Sequence, residues 1–403
     1  MAKPTSRDNL SESTRLLHGA ETPAQKLGVE AKIVNPPLQR ASTVLMPNAA
    51  SLYASGGAPT YGRLGLGVQA ALEGALAELE GASHVALFSS GAAAVTGALL
   101  AALSAGDELL AADGVYRPTR RLCEGTLARF GVTTRFYPAR ASVDEIMALV
   151  GPETRAIMLE SPASLTFEMQ DVPAIAAAAR AKGLLTLIDN TWGAGLLFKP
   201  LAGGVDFSIQ ALTKYVSGGS DVFMGSVAVR RPPLAKALQT LMLETGWAVS
   251  PDDCYTMLRG LRTLPLRLRQ HGESALIVAQ WLQTQPEVQR VLCPALPSSE
   301  DHAIWKRDYS GVCGLFGVML QPAPPKAVEA FLDALSLFGL GFSWGGFESL
   351  AIHCDPQIQR TAKPWLGLGP LVRLHIGLES PDDLMADLRR GLDAFAQACE
   401  GEA

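Results

Sequence analysis

The chain has 403 residues, of which 48% are hydrophobic and 18% charged, with a formal net charge of −5 and a mean hydropathy of +0.17. Such a composition is core-rich and excludes a mainly disordered chain, while the acidic balance argues against a nucleic-acid-binding footprint. The length predicts two or more domains, and the low charged fraction points to buried interfaces and an oligomer.

Taken in chain order, the first eight residues, Met1 to Asp8, hold no apolar stretch of the kind a secretory signal needs. Up to about residue 60, Pro36-Pro37, Pro47-Asn48 and Gly56-Gly57-Ala58-Pro59 break any long element, so 1–60 reads as an arm or strap between subunits. Gly65-Leu66-Gly67-Val68-Gln69-Ala70 spells a dinucleotide-binding pattern, but a loop precedes it in place of a strand and no acid follows at the required distance. Val68, Leu72, Leu76 and Leu79 then recur at helical spacing. The alanine-rich run from Gly91 to Gly106 is too short to span a bilayer and reads as a buried helix.

Strand-like runs at 84–90, 108–113, 132–137, 155–160, 184–189, 205–212 and 223–229 alternate with helical stretches such as 118–130, 142–150 and 173–182. That alternation predicts an α/β domain over 61–250 with a mainly parallel sheet covered on both faces. Beyond 250, helices are predicted at 253–262, 272–284, 325–338 and 381–398 and strands at 288–292, 314–320 and 371–376. Residues 251–403 are therefore expected to form a smaller α+β C-terminal domain. The six cysteines include no CxxC pair and the six histidines no HExxH pair, so no metal site is expected and the thiols read as reduced, in a cytosolic protein.

Against this background one lysine stands out. Lys214 closes the run Gln210-Ala211-Leu212-Thr213-Lys214 in a segment almost free of other charge, and Tyr215-Val216-Ser217-Gly218-Gly219 follows it. A lone lysine is most often a solvated surface cation, and an Asp at a strand end is often a cap. Here, however, the apolar strand Leu184 to Ile188 delivers Asp189 to its tip a short distance upstream. An amine and an acid so placed suit pyridoxal phosphate, whose aldehyde the amine holds as a Schiff base and whose ring nitrogen the acid keeps protonated. An ordinary lysine titrates near ~10.4, so freeing its base form at neutrality costs roughly 4.6 kcal/mol. The cofactor linkage removes that handicap.

Other segments suit the same ligand. Ser90-Gly91-Ala92-Ala93 follows a strand and opens a helix, which is both an ordinary turn and a place for a phosphate, with Thr213 adding a hydroxyl. Tyr116, at the end of another strand, is placed to stack on a ring or merely to pack. Arg373, inside the apolar strand Leu371 to Ile376, is either a fork for a carboxylate or half of a buried ion pair.

Together with Tyr61-Gly62-Arg63, Leu258-Arg259-Gly260-Leu261-Arg262, Phe342-Ser343-Trp344-Gly345-Gly346-Phe347-Glu348-Ser349 and Arg373-Leu374-His375-Ile376-Gly377-Leu378-Glu379, these segments resemble the pyridoxal-phosphate enzymes of cysteine and methionine metabolism, from about Tyr61 to Leu392. The resemblance implies the aspartate-aminotransferase-like fold (fold type I) and a carbon–sulfur lyase of trans-sulfuration. It implies α,β-elimination from a sulfur amino acid, with γ-chemistry on the same scaffold as the alternative and a non-catalytic relative as a remote one. Carried over by residue, it makes Lys214 the Schiff-base lysine, Asp189 the pyridinium partner and Tyr116 the stacking ring. Gly91, Ala92 and Thr213 become phosphate contacts, and Tyr61 and Arg63 reach the neighbouring subunit's cofactor in a homotetramer. Arg373 and Ser343 hold the substrate carboxylate, with Trp344 and Tyr255 lining the pocket. Many relatives carry a serine shortly before the lysine, where this chain has Ala211 and Leu212.

Overall fold

The periodicities that alternate along the sequence become alternating strands and helices. The computed structural model describes residues 11–18, 34–53 and 59–400. The parts of the 1–60 arm at 1–10, 19–33 and 54–58 lie outside the described residues. In order, the elements are α1 (Glu12–His18), α2 (Gly67–Glu80), β1 (His84–Phe88), α3 (Gly91–Ala102), β2 (Glu108–Ala112), α4 (Arg117–Leu122), β3 (Thr133–Tyr137), α5 (Val143–Ala148), β4 (Thr154–Glu160), α6 (Val172–Ala181), β5 (Leu185–Asp189), β6 (Phe207–Ala211) and β7 (Gly225–Val229). Then come α7 (Pro232–Thr245), α8 (Pro251–Leu282), β8 (Val288–Leu292), α9 (His302–Asp308), β9 (Leu315–Leu320), α10 (Pro325–Asp333), β10 (Gly339–Leu340), β11 (Leu350–His353), β12 (Leu371–His375) and α11 (Pro381–Glu400).

The first seven strands form one sheet in the order β1-β7-β6-β5-β4-β2-β3. From β6 to β3 all neighbours run parallel, and only β7 runs antiparallel, to β6 and to β1. Helices cover both faces, so strands such as β2 and β7 are buried along their whole length. That is why they read as mainly apolar, with Glu108 opening β2 and Ser226 within β7 as the polar exceptions. The second sheet, β10-β11-β12-β9-β8, is antiparallel except for the short β10–β11 pair and forms the separate C-terminal layer.

One prediction fails instructively. The two helices expected at 253–262 and 272–284 are a single helix, α8, with Pro265 inside it. A proline there removes a donor and disturbs the ladder. The helix continues past it, and in the neighbouring turn Thr263 Oγ1 and Arg267 Nη2 both donate to the Gly260 carbonyl, at 3.1 and 2.7 Å. The same Arg267 reaches out to the carbonyls of Tyr215 (2.7 Å) and Val216 (3.3 Å), which ties α8 to the segment that carries Lys214. Among the described residues no helix is long and apolar enough to cross a membrane, and no cluster of three or more His, Cys, Asp or Glu could hold a metal ion.

Candidate active site

In an open parallel sheet the carboxyl ends of the strands share one edge, and ligands bind there. On that edge the loop after β2 brings Tyr116, β4 ends in Glu160, β5 ends in Asp189, and the turn after β6 brings Thr213 and Lys214. Together with Gly91 and Ala92 at the start of α3, they line a cavity of about 510 Å³. The second sheet closes it with Phe342, Ser343, Trp344 and Arg373. Nine of the twelve residues singled out from the sequence therefore meet around one space, of a size usual for small-molecule sites.

The Lys214 amine lies 2.9 Å from Ser343 Oγ and 5.3 Å from the centre of the Trp344 ring. Burial first, and the nearby Arg373 charge second, lower its pKa to about 8 against the pull of Asp189. At pH 7 about a tenth of the amine is then neutral, against roughly 1 in 2,500 for an ordinary lysine. The fold itself thus supplies part of the activation before any cofactor is considered.

Asp189 is held by its near neighbour Thr191, whose backbone N–H and hydroxyl donate to Oδ1 at 3.0 and 2.5 Å. Thr191 Oγ1 in turn accepts from the Ala211 N–H of β6 at 2.9 Å, so one hydroxyl fixes the acid to the strand that leads to Lys214. Burial raises the Asp189 pKa, and the Thr191 bonds and Lys214 oppose that rise. Glu160 pairs with Asp189 in register across β4 and β5. Burial, then the Asp189 charge, push its pKa well up. Two buried acids side by side do not both ionise easily. The proton belongs on Glu160, which still accepts the Tyr116 N–H at 2.6 Å, and the charge belongs on Asp189. Burial and these two acids also raise the Tyr116 phenol, which stays protonated at neutral pH.

At the start of α3, Ser90 caps the helix by accepting from Ala93 N at 3.1 Å. Among the described residues the amides of Gly91 and Ala92 make no hydrogen bond, and the helix dipole adds to their preference for an anion. Gly91 is required by contact, because a Cβ there would run into Ala211 of β6. Thr213 lines the cavity, but its hydroxyl is already engaged with Met224, donating to O at 3.1 Å and accepting from N at 3.0 Å. The free hydroxyl expected of Thr213 is therefore spent within the chain.

Arg373 shows what its charge is for. Its Nη2 donates to the carbonyls of Phe342 and Ser343, both at 2.9 Å, and its buried Nε has no partner. No carboxylate among the described residues forms an ion pair with it, so the structural ion pair that the sequence left open is absent. A buried, unpaired guanidinium is costly unless a ligand supplies the anion.

Three residues lie elsewhere. Tyr61 and Arg63 sit outside the cavity, with Arg63 Nη1 3.3 Å from the Leu243 carbonyl. Tyr255, expected in the pocket wall, stands in the early turns of α8, the helix that packs against α2, and does not line the cavity. Conversely, Glu160 and Thr191 were not singled out from the sequence. Glu160 ends a strand just as Asp189 does, and that is the signal by which it could have been found.

The unbonded helix amides, the orphaned guanidinium nitrogen, the lysine of lowered pKa and the strand-tip acid fit a ligand with a phosphate, a carbonyl and a basic ring nitrogen. Set on this sheet, that fit defines the class, a pyridoxal-phosphate-dependent enzyme of fold type I. The structure of a cystathionine γ-lyase from Lactobacillus plantarum complexed with L-serine matches with a TM-score of 0.88 and 31% identity, covering 96% of this chain and 100% of that one. The profile of the Cys/Met metabolism PLP-dependent enzyme family matches residues 13–393, and the chain belongs to that family. Relatives include a cystathionine β-lyase of Bordetella avium, 45% identical over 90% of this chain and 93% of the relative. Another, a cystathionine β-lyase of Escherichia coli K12, is 41% identical over 94% and 97% respectively.

Proposed function

We propose that the chain is a carbon–sulfur lyase that cleaves L-cystathionine by α,β-elimination and, with uptake of water, yields homocysteine, pyruvate and ammonia. The observation that carries this reading is Arg373, a buried guanidinium without an acid partner among the described residues, facing the same cavity as the Lys214 amine. The bacterial relatives named as cystathionine β-lyases support the choice of substrate.

Lys214 would hold the aldehyde carbon, Asp189 the ring nitrogen, Tyr116 one ring face, and the Gly91 and Ala92 amides the phosphate. When bound, pyridoxal phosphate supplies a sink for the electrons left at the substrate's Cα. The rest is work for the chain. Arg373 presents Nε and its free edge to the α-carboxylate, and Ser343 orients that group beside the amine. Lys214 Nζ, low in pKa, takes the Cα proton. Trp344 walls the amine from water. As the Cβ–S bond breaks, Lys214 Nζ or the Tyr116 hydroxyl returns a proton to sulfur. Tyr61 and Arg63, exposed and part-exposed outside their own cavity, would complete the phosphate site of a neighbouring subunit in a cytoplasmic homotetramer. In this reading 61–250 is the cofactor-binding domain, 251–403 the C-terminal domain, and 1–60 the strap between subunits.

The test is a product assay of purified protein on cystathionine. Pyruvate with homocysteine is the expected outcome. Release of 2-oxobutyrate with cysteine would instead assign γ-elimination, the activity in the name of the Lactobacillus plantarum structure.

A further inference from the structure

The loop 342–349 touches the reacting amine, yet nothing in it is a strand or helix. What holds it is β12. The Gly345 N–H donates to His375 Nε2 at 3.0 Å, and His375 Nδ1 lies 3.0 Å from the Glu348 carbonyl. A backbone N–H can only donate, so Nε2 carries a lone pair and Nδ1 carries the proton. The ring is therefore neutral, in one tautomer, with both nitrogens spent on the loop. It is fully buried. Burial, His271, Arg373 and Lys214 all oppose its protonation.

Gly345 is where the loop meets Lys214. Its φ is +85°, and a Cβ there would fall 2.9 Å from Lys214 Cα and 2.8 Å from Tyr215 N. The loop backbone thus rests directly on the backbone of the reactive lysine. Immediately before it come the Ser343 hydroxyl on Lys214 Nζ and the two carbonyls that hold Arg373. Behind it, Ser349 is tied to Glu379 at 2.9 and 2.8 Å. The Ser349 anchor fixes the far end of the loop, and His375 alone among the described side chains bonds to its Gly345 backbone.

We propose that His375 is a positioning residue for the substrate carboxylate. By accepting from Gly345 it sets how deeply the loop seats on Lys214, and so where Ser343 and the Arg373 edge stand relative to the amine. The inference rests on the reading that these two groups hold the carboxylate, and its test separates the two.

The experiment compares His375→Asn with His375→Gln in the cofactor-loaded full chain. Asparagine keeps a donor near Nδ1 and loses the acceptor, while glutamine places an oxygen near Nε2. Hydrogen–deuterium exchange of the peptide covering 342–349 should be fast in H375N and protected, as in the native chain, in H375Q. The KM for cystathionine should rise about tenfold in H375N with a smaller change in kcat, and stay within about threefold in H375Q, as expected for one lost hydrogen bond. Protected exchange in H375N would overturn the clamp. Fast exchange with an unchanged KM would leave the clamp standing and remove the loop from carboxylate binding. Should H375N fail to fold, ¹⁵N NMR of the histidine-labelled native protein decides. Protonation at Nδ1 alone is expected, and an Nε2–H or doubly protonated ring overturns the proposal.

Discussion

On the cavity wall built by the first sheet, Asp189 is bonded by a residue two positions away, and Lys214 follows directly on β6. On the opposite wall, Arg373 is held by carbonyls 31 and 30 residues upstream, and Ser343 meets Lys214 across 129 residues. The first wall is set by strand tips and their own turns. The second is assembled only when the C-terminal sheet docks. In the proposed reading the difference divides their labour: strand tips would carry groups whose charge and pKa serve the chemistry, and the docked loop groups that grip and orient the substrate.

The sharpest way to break this division is at Lys214. Lys214→Ala should lower pyruvate formation by at least about 10³-fold, since it removes both the cofactor's covalent anchor and the base. The borohydride-trapped adduct seen by mass spectrometry should vanish with it. Activity within tenfold of native would end the assignment. Asp189→Asn retains an acceptor for Thr191 but not the charge, and kcat should fall by about 10²-fold, as for other losses of one electrostatic partner. A change confined to KM would place Asp189 on the wrong side of the comparison.

Across the cavity the effect should change character. Arg373→Lys keeps the charge and loses the planar fork, so KM should rise roughly tenfold while kcat moves little. Steady-state kinetics on cystathionine reads this directly. A fall in kcat with constant KM would mean that the second wall takes part in the chemistry itself. The mildest test concerns protonation. In cofactor-free protein, acylation of Lys214 should follow a titration centred near pH 8, the fraction of reactive neutral amine rising as pH increases through that value. Surface lysines should titrate near ~10.4. Because burial causes most of the depression, opening the site with Trp344→Ala should move the midpoint upward.

Much of the first wall was legible in the chain. Buried parallel strands write themselves as apolar runs, and a polar residue ending such a run must stand at the sheet's edge, as Asp189 does. Glu160 obeys the same rule, but its partnership with Asp189 depends on β4 lying beside β5, which no local pattern announces. The hydroxyl of Thr213 was legible as a residue and not as a bond, for Met224 claims it from a strand that returns antiparallel. Tyr255 was legible as a helical residue, but which way a helix faces is decided by what it packs against, and Tyr255 does not line the cavity.

The amino-acid sequence by itself determined the alternating architecture and the family, and it singled out the candidate amine and acid, because these follow from periodicity and from short local motifs. Tertiary structure alone decided that Arg373 has no acid partner among the described residues, that burial and Asp189 push the Glu160 pKa well up, and that His375 presents a lone pair to the loop on Lys214. Each of those depends on distances between segments remote in the chain. Such distances exist only once both sheets have packed into a common core.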